Sequence, residues 1–420
     1  MNRIELKGIK IIGNRVEFNY TFSEQLSIFF SESIKFYYEY PENIDLECVP
    51  ESILIIPFVM NVMPLAWISK SLVYVKCIDE SFYYSLTNVL AGLKKIHPNI
   101  DFDGALEAEA IEKNDFEVHN ENKVLLFSGG VDALSSLASH YSERPILVNV
   151  WGADIHPDDN ENYSVIKQDL KSLSENMNLS LLTVRSSLRW FLNEPLLSSY
   201  YKNDIKDTWW HGMQHSVGLL SLLAPFDYIH NIKTNYIASS YTKEAIGVVR
   251  CVSFPFIDSC LKIGTTDCYH DGFEYSRINK VHNIVRLKRQ EFPEINIPLK
   301  VCFYTQKGDN CCKCEKCLRT MAAILVLNEK IENYGFIPDY TNAEKYIKRF
   351  LDRTIISSVS LPFWKEISQY VIENGTKNRS IEWIGNYVYN TFKSKWYTPI
   401  ENGIRIKLGK IRHIIKTRRK

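Results

Sequence analysis

Two short segments of this chain place reactive residue types at spacings that suggest chemistry. The first is Ser128-Gly129-Gly130-Val131-Asp132, which follows an apolar run and precedes a helix-like segment. The second is a C-x8-C-x2-C-x2-C pattern, and its cysteines are Cys302, Cys311, Cys314 and Cys317. The first segment predicts an anion-binding turn, and the second predicts a metal site.

The glycine turn lies where a buried strand ends and a helix begins, which is the edge at which parallel α/β sheets bind ligands. Gly129 and Gly130 allow backbone angles closed to other residues, so a phosphate can approach the main chain. Amide N–H groups, the Ser128 hydroxyl and the helix N-terminus then form an anion site. A tight turn without a ligand is the alternative. The succession of a strand, the sequence Ser-Gly-Gly-x-Asp and a helix favours nucleotide binding over that alternative.

The turn lacks the Gly-Lys-Ser/Thr of a Walker A loop and is not a GxGxxG fingerprint. It resembles the SGGxDS motif of the PP-loop ATP pyrophosphatase family. Members of this family cleave ATP between the α- and β-phosphates and adenylate an oxygen of a second substrate. The resemblance implies that ATP binds to Ser128, Gly129, Gly130, Val131 and Asp132. Because a carboxylate near a phosphate site would otherwise be repulsive, we expect Asp132 to organise Mg²⁺ or the loop.

The same resemblance bears on residues around the turn. The last serine of the motif is replaced by Ala133, which removes one hydroxyl from the phosphates, although Ser135 and Ser136 lie in the same helical turn. In the family, the end of the next strand flanks the adenosine. The residues that this nominates here are Trp151, Gly152 and Asp154.

The clustered cysteines suit tetrahedral Zn²⁺, because thiolates are soft ligands and these spacings let them converge from tight turns. Four sulfur ligands leave no open coordination position, so the predicted role is structural. Cys312 cannot then be a fifth ligand. A reduced loop without metal and an iron–sulfur cluster are the alternatives, and zinc is favoured because no redox chemistry is indicated.

The cysteine spacing, closely followed by Arg319, resembles the zinc site of 7-cyano-7-deazaguanine synthases, which are PP-loop enzymes of queuosine biosynthesis. This resemblance covers about residues 123–330. It implies that ATP activates a carboxylate, which a nitrogen nucleophile then attacks. The substrate stays open, because those synthases lack a comparable N-terminal domain. Synthase-like and related PP-loop proteins also occur in antiphage systems and surface-polysaccharide gene clusters.

Two further pairs of side chains have suggestive spacing. Arg277 and Lys280 stand one helical turn apart, which puts both cations on one face. Such a face binds the leaving pyrophosphate or stabilises charge at the α-phosphorus, and a solvated basic face is the alternative. We take Asp132, Arg277 and Lys280 as the catalytic candidates.

His211 and His215 lie at i and i+4, as in half of a metal site, but no Glu lies between them in an HExxH pattern. Structural histidines are therefore favoured. The adjacent Trp209 and Trp210 are available to stack on a flat substrate ring.

The surrounding elements predict an α/β protein in three parts. Residues 1–120 predict an α+β accessory domain. Residues 121–330 alternate apolar runs with helices, which is typical of a doubly wound parallel sheet. The PP-loop resemblance makes this sheet HUP-like, that is, adenine nucleotide alpha hydrolase-like. Residues 331–420 predict a mostly helical extension that ends in a basic tail.

The N-terminal part carries its own local signals. Strand alternation on both sides of Gly13-Asn14 predicts a hairpin. A helical pattern over residues 81–97 starts with Ser81 as its predicted cap. The charged residues 107–123 are interpreted as a connector.

Composition and charge limit the class of protein. The hydrophobic fraction of 45% and net charge of +1 indicate a soluble globular protein with no general affinity for nucleic acid. The N-terminus lacks a secretory h-region, which predicts a cytoplasmic protein. The apolar residues 53–68 are too short and too interrupted by proline to cross a bilayer, so they predict buried core. The basic residues 404–420 are typical of a segment that contacts a membrane surface or RNA weakly. A solvated C-terminus without such a contact is the alternative.

Together these features predict a C–N bond-forming ligase that uses ATP, Mg²⁺ and Zn²⁺ and produces AMP and pyrophosphate. Its partner is a small-molecule substrate or a protein or RNA acceptor, and a homodimer is left open. One alternative is a PP-loop tRNA-modifying or sulfur-transfer enzyme that docks RNA on the basic tail. The other is an inactive nucleotide-binding scaffold of a defence or polysaccharide system, for which Ala133 is the sequence hint.

Overall fold

The structure, a computed structural model, describes residues 2–116, 122–302, 309–357 and 359–389. Within these residues, eleven strands form one mixed sheet. The strands are β1 (Arg3–Ile12), β2 (Arg15–Phe22), β3 (Tyr37–Glu39), β4 (Leu72–Asp79), β5 (Ala105–Glu112), β6 (Lys123–Leu126), β7 (Ile146–Trp151), β8 (Leu181–Ser186), β9 (Thr234–Ala238), β10 (Lys262–Ile263) and β11 (Thr266–Asp271).

Fourteen α-helices accompany the strands in the described part of the chain. They are α1 (Glu51–Leu54), α2 (Ile56–Ser69), α3 (Glu80–Ile96), α4 (Val131–His140), α5 (Asn160–Asn176), α6 (Glu194–Tyr200), α7 (Lys202–Ile205), α8 (His215–Ser221), α9 (Ala224–His230), α10 (Pro255–Asp258), α11 (Arg277–Glu291), α12 (Glu315–Val326), α13 (Ala343–Arg353) and α14 (Leu361–Asn374). None of the described helices is long and apolar enough to cross a membrane.

Five parallel strands form the centre of the sheet in the order β11-β9-β6-β7-β8. Among these five strands, β6 comes first in the sequence and β7 and β8 follow on one side of it. The chain then crosses to the other side of β6 to form β9 and β11. The gap between β6 and β9 is therefore a topological switch point, where open α/β sheets bind ligands. The predicted α/β class, with a large and mostly parallel sheet, is confirmed.

Both faces of this central sheet are covered. Along β6, Val124 and Leu126 belong to one hydrophobic core, while Leu125 and Phe127 belong to the other. Side chains of a strand alternate between faces, so the first core, with α2 and α8, lies opposite the second, with α4, α11, α12 and α14. Burial on both faces explains why these strands are continuous apolar runs.

The N-terminal strands extend the same sheet. β3 pairs with β8 in antiparallel orientation through Tyr38↔Ser186 and Glu39↔Arg185, and β2, β1, β4 and β5 follow. The predicted hairpin is present, with β1 and β2 joined by a turn in which Gly13 has a φ of +59°. The division of the chain into three parts stays a prediction.

Two local predictions in the N-terminal part are wrong. The cap of α3 is Asp79, whose carboxylate accepts a hydrogen bond from the Phe82 N–H at 2.9 Å, and not Ser81. Asp79 ends β4, so the chain turns into the helix two residues earlier than its pattern indicates. Residues 107–112 of the expected connector belong to β5, which pairs in parallel with β4. Its glutamates are exposed on an edge strand, where charge discourages pairing with other chains.

Residues 53–67 of the predicted core segment 53–68 are buried, within and between α1 and α2, and Ile68 is partly buried. The extension after residue 330 contains α13 and α14 in its described part. The basic tail, residues 404–420, lies outside the described residues.

Candidate functional site

A cavity of about 250 Å³ opens at the carboxyl ends of β6, β7 and β9. Its lining includes Ser128 and Asp132 after β6, Trp151 and Asp154 after β7, and Ser240 after β9. The structure thus brings the turn and the strand-end residues nominated from the sequence to one edge of the sheet. This edge flanks the switch point between β6 and β9.

The turn before α4 requires its first glycine and leaves the helix without a side-chain cap. Gly129 has a φ of +72°, and a Cβ there would lie 2.8 Å from Cδ2 of Leu170. The Gly129 carbonyl accepts a hydrogen bond from the Lys300 N–H at 2.9 Å, which fixes the turn. Gly130 is the N-cap of α4 and offers no side chain to its first N–H groups. Those groups are available to an anion.

Ala133 lines the cavity, but Ser135 and Ser136 of the same helix do not. Ser135 is buried, and its hydroxyl accepts a hydrogen bond from Nδ2 of Asn283 in α11 at 3.3 Å. Ser136 is buried as well. Neither hydroxyl therefore replaces the one that Ala133 lacks.

Asp132 is held between two cations of α11. Its Oδ1 lies 3.1 Å from Nη1 of Arg277 and 3.0 Å from Nζ of Lys280. Lys280 is buried and also donates a hydrogen bond to the Ser239 carbonyl. Burial opposes ionisation of Asp132, but the charges of Arg277 and Lys280 outweigh it and lower the pKa of this carboxyl to about 2. The three catalytic candidates therefore form one ion cluster beside the turn.

Two cations of α12 join this cluster. Arg319 is buried, pairs with Oε1 of Glu315 at 3.3 Å, and places its guanidinium 4.2 Å from the centre of the Phe363 ring. The Arg277 guanidinium lies 5.6 Å from the centre of the same ring. Burial lowers the pKa of Lys316, and the charges of Arg277 and Arg319 lower it further. We call Arg277, Lys280, Lys316 and Arg319 the cation cluster.

Acidic side chains offset part of this charge. Glu366 of α14 accepts a hydrogen bond from the backbone N–H of Arg277 at 2.8 Å, and burial raises the pKa of its carboxyl. The indole of Trp364 donates to Oε1 of Glu315 at 2.9 Å. Asp132, Glu315 and Glu366 thus lie among four cations, which leaves an excess positive charge that favours an anionic ligand.

The four predicted cysteines converge at the start of α12. All four Sγ atoms lie within 4.8 Å of one another, and they belong to Cys302, Cys311, Cys314 and Cys317. The Cys302–Cys314 and Cys311–Cys317 pairs are separated by 4.0 and 3.9 Å. Such a group could hold a metal ion. Cys312 lies outside it, with its thiol directed to the Asn310 carbonyl at 3.4 Å.

The cysteine group also lies at the start of α12, the helix that carries Lys316 and Arg319. Cys314 is the N-cap of α12, and its Sγ accepts a hydrogen bond from the Cys317 N–H at 3.4 Å. Lys316 and Arg319 lie in the first turns of the same helix. The conformation of the cysteine group therefore sets the position of two members of the cation cluster.

Residues after β7 form another wall of the cavity. The Trp151 ring stacks on Tyr163, with ring centres 4.3 Å apart and planes within 1°. The Arg185 guanidinium lies 4.6 Å from the same ring centre, and the Trp151 indole N–H donates to the His156 carbonyl at 3.0 Å. Asp154 is 87% exposed and lies 3.6 Å from Arg189 at the rim. Trp151 is thus a packed wall residue, whereas Asp154 faces solvent.

The two histidines have different surroundings and form no potential metal group within the described residues. His215 lines the cavity beside Trp210, and burial lowers its pKa to about 4, so its ring is neutral. His211 instead hydrogen-bonds through Nδ1 to Oδ2 of Asp207 at 2.7 Å. Trp209 is fully buried, so Trp210 is the tryptophan of this pair that faces the cavity.

No protein-family model matches this sequence, and no curated protein matches it either. Function must therefore be inferred from the site itself.

Proposed function

We propose that this protein is a PP-loop ATP pyrophosphatase that adenylates a carboxylate or similar oxygen of its substrate and releases pyrophosphate. A nitrogen nucleophile then displaces AMP and forms a C–N bond. One observation carries the proposal: two members of the cation cluster, Arg277 and Lys280, bind Asp132 directly beside the Ser128–Gly130 turn and the open cavity.

The charges support polyphosphate binding. Without nucleotide, Asp132 neutralises Arg277 and Lys280 at 3.1 and 3.0 Å. When ATP binds, its phosphates compete with Asp132 for these cations and bring further negative charge towards Lys316 and Arg319. Buried cations stabilise such charge strongly, because little water screens it.

The reaction requires little acid–base chemistry. The substrate oxygen attacks the α-phosphorus, a P–O bond forms, and the bond to the β-phosphate oxygen breaks. Pyrophosphate leaves with the electron pair. Arg277 and Lys280 stabilise the charge that develops on the leaving group, so catalysis depends on positioning and charge neutralisation.

Mg²⁺ held by the phosphates would supply further charge neutralisation. Asp132 is the carboxylate of the turn that fits this ion, since its ion pairs with Arg277 and Lys280 use Oδ1 and leave Oδ2 for another cation.

We propose Zn²⁺ as the resident metal of the cysteine group. A tetrahedron with Zn–S bonds of about 2.3 Å has S–S edges of about 3.8 Å. The thiol pairs at 3.9 and 4.0 Å fit this geometry. Four thiolates leave no open position, so the metal would hold the start of α12 in place.

The test uses purified full-length protein, ATP labelled at the α- and γ-phosphates, and a panel of carboxylic acids with hydroxylamine as nucleophile. We expect AMP, pyrophosphate and a hydroxamate. Release of ADP and phosphate would contradict the assignment. ATP binding without turnover of any acid would favour a nucleotide-binding protein that has lost catalysis.

A further inference from the structure

Lys300 lies against both glycines of the turn before α4. Its N–H donates to the Gly129 carbonyl at 2.9 Å, and its Cγ lies 3.3 Å from the position that a Cβ on Gly129 would take. The Lys300 carbonyl oxygen lies 3.4 Å from the corresponding position at Gly130. The backbone and the first carbons of this lysine therefore pack directly on the turn that we assign to phosphate.

Hydrogen bonds on both sides of Lys300 fix its backbone. Nδ2 of Asn310 donates to the Leu299 carbonyl at 2.7 Å, and Oδ1 of Asn310 accepts from the Val301 N–H at 3.2 Å. Asn310 directly precedes Cys311, so this segment is tied to the cysteine group as well. The stem of Lys300 is thus held against the turn, and the ammonium at its end is the part that can change its partner.

The ammonium of Lys300 pairs with Oδ2 of Asp169 in α5. The Lys300 side chain is 15% exposed, whereas that of Asp169 is 40% exposed. An ion pair with a solvated partner contributes little to stability, because water competes for both charges. Lys300 can therefore exchange Asp169 for a stronger anion at small cost.

The helix that carries Asp169 also borders the cavity and the turn. Ile166, about one helical turn before Asp169, lines the cavity. Leu170, which follows Asp169, approaches the turn so closely that a Cβ on Gly129 would lie 2.8 Å from its Cδ2. The Lys300–Asp169 pair therefore lies near an anion bound by the N–H groups at the start of α4.

We propose that Lys300 is a further phosphate-binding residue of this site, and that Asp169 is the counter-ion that holds its ammonium until a polyphosphate binds at the turn. This inference rests on the proposed function, which places ATP there. Arg277 and Lys280 reach the same site from α11 through Asp132, so the phosphates would meet cations from two separate segments of the chain.

The exchange of partner follows from the charges. A polyphosphate carries more negative charge than the single carboxylate of Asp169, and hydrogen bonds between ionised groups are about twice as strong as neutral ones. The ammonium has three donor positions on a flexible four-carbon stem. It can therefore turn from α5 to the phosphate without a shift of the Lys300 backbone.

Calorimetric titration of the full chain with a non-hydrolysable ATP analogue tests this exchange. Lys300→Met keeps an apolar stem on Gly129 but removes the charge, and we expect the affinity to fall about tenfold. Asp169→Asn removes the competing anion, and we expect the affinity to rise about threefold. In the double variant this rise should disappear. A purely structural ion pair predicts no such rise, since its loss would only weaken the fold.

A second ion pair of α5 provides the matched control. Nζ of Lys171 lies 3.7 Å from Oε1 of Glu175, and their side chains are 67% and 64% exposed. Lys171→Met and Glu175→Gln remove the same charges and should change the affinity less than about twofold. Asp169→Asn alters the more exposed partner, so it tests the exchange even if Lys300→Met does not fold.

Three results would overturn the inference alone, in a wild-type protein that binds the ATP analogue. They are an unchanged affinity in folded Lys300→Met, no rise with Asp169→Asn, and an equal rise with Asp169→Asn whether or not Lys300 is present. The last result would be a general charge effect.

Other results separate the inference from the proposed function. If the variants respond as expected but no carboxylic acid leads to pyrophosphate release, adenylation is wrong and Lys300 remains a phosphate ligand. If the wild-type protein binds neither the ATP analogue nor pyrophosphate, both the proposed function and the role of Lys300 are wrong.

Discussion

The guanidinium of Arg277 lies 3.1 Å from the carboxylate of Asp132. Arg277 is the first residue of α11, and Asp132 lies in the first turn of α4, so this ion pair joins the amino ends of two helices beside the cavity. Lys280 contacts the same carboxylate oxygen. Asp132 is thus the counter-ion of two largely buried cations, and changing it affects both stability and activity.

Replacing Asp132 by Asn should destabilise the protein without nucleotide, because Arg277 and Lys280 would keep their charges and lose their partner. We expect the free energy of unfolding to fall by about 2 kcal/mol, less than for a fully buried pair because Asp132 is 22% exposed. Denaturant titration measures this change. Asp101→Asn is the control, since its pair with Lys70 is exposed and should contribute little to stability. Equal losses in the two variants would contradict the prediction.

The contribution of Asp132 should depend on acidic pH. Its pKa in the folded protein is about 2, below the ordinary 3.8, so the carboxylate stabilises the fold above the unfolded value. That contribution is lost as pH falls through the folded pKa. The stability difference between wild type and Asp132→Asn should therefore be constant above about pH 5 and shrink between about pH 4 and pH 2. A difference that already declines between neutral pH and about pH 5 would assign the effect to another group.

Truncating Lys316 or Arg319 should weaken ATP binding. Each removes a cation that we place against the phosphates, and we expect about a tenfold loss of affinity, larger at low salt. Calorimetric titration with a non-hydrolysable ATP analogue measures it. Lys313→Ala is the matched control, since Lys313 lies in the same cysteine segment but is 51% exposed and paired with Asp339. Similar losses at positions 313 and 316 would mean a general charge effect instead of a phosphate contact.

Removing the metal should lower both the affinity for ATP and the stability of the fold. Without metal, the thiols no longer hold the cap of α12 at Cys314, so Lys316 and Arg319 lose their fixed position. We expect a chelator or Cys314→Ser to lower the Tm and the affinity for the ATP analogue, and added Zn²⁺ to restore both in the chelated protein. Cys312→Ser should keep the metal, because its thiol lies outside the group. Unchanged ATP affinity in folded, metal-free protein would refute the link.

Ala133→Ser should improve nucleotide binding. Ala133 lines the cavity, whereas Ser135 is turned to Asn283, so a new hydroxyl at position 133 would reach a place that no nearby serine supplies. We expect ATP affinity or pyrophosphate release to rise about tenfold, as for one hydrogen bond to a charged group. Ala138→Ser on the same helix is the control. If Ala133→Ser changes neither quantity, backbone groups already satisfy the phosphate.

Local signals predicted the elements at the site. The apolar run, the glycines and the aspartate of residues 123–132 lie within one strand and one turn, so their arrangement depends little on distant residues. Arg277 and Lys280 are also close in sequence and share one helix. Most of the clustered cysteines likewise lie within a few residues of one another. The structure places each of these groups at one edge of the sheet or directly beside it.

The remaining members of the site depend on packing between distant elements. Lys316 is a lysine between two cysteines, and nothing in that segment indicates that α12 packs beside α11. Glu366 joins the site because α14 packs against the first residue of α11. The polar pattern of residues 107–112 predicts a connector, and only pairing with β4 makes this segment part of the strand β5.

The pairing of β3 with β8 makes the N-terminal strands the cover of an edge of the central parallel strands. If the codons for β1 to β3 were lost, β8 would become a bare edge whose backbone N–H and C=O groups invite another chain to pair. Such a truncated product would tend to aggregate. The N-terminal strands therefore protect the solubility of the central sheet, whatever else they do.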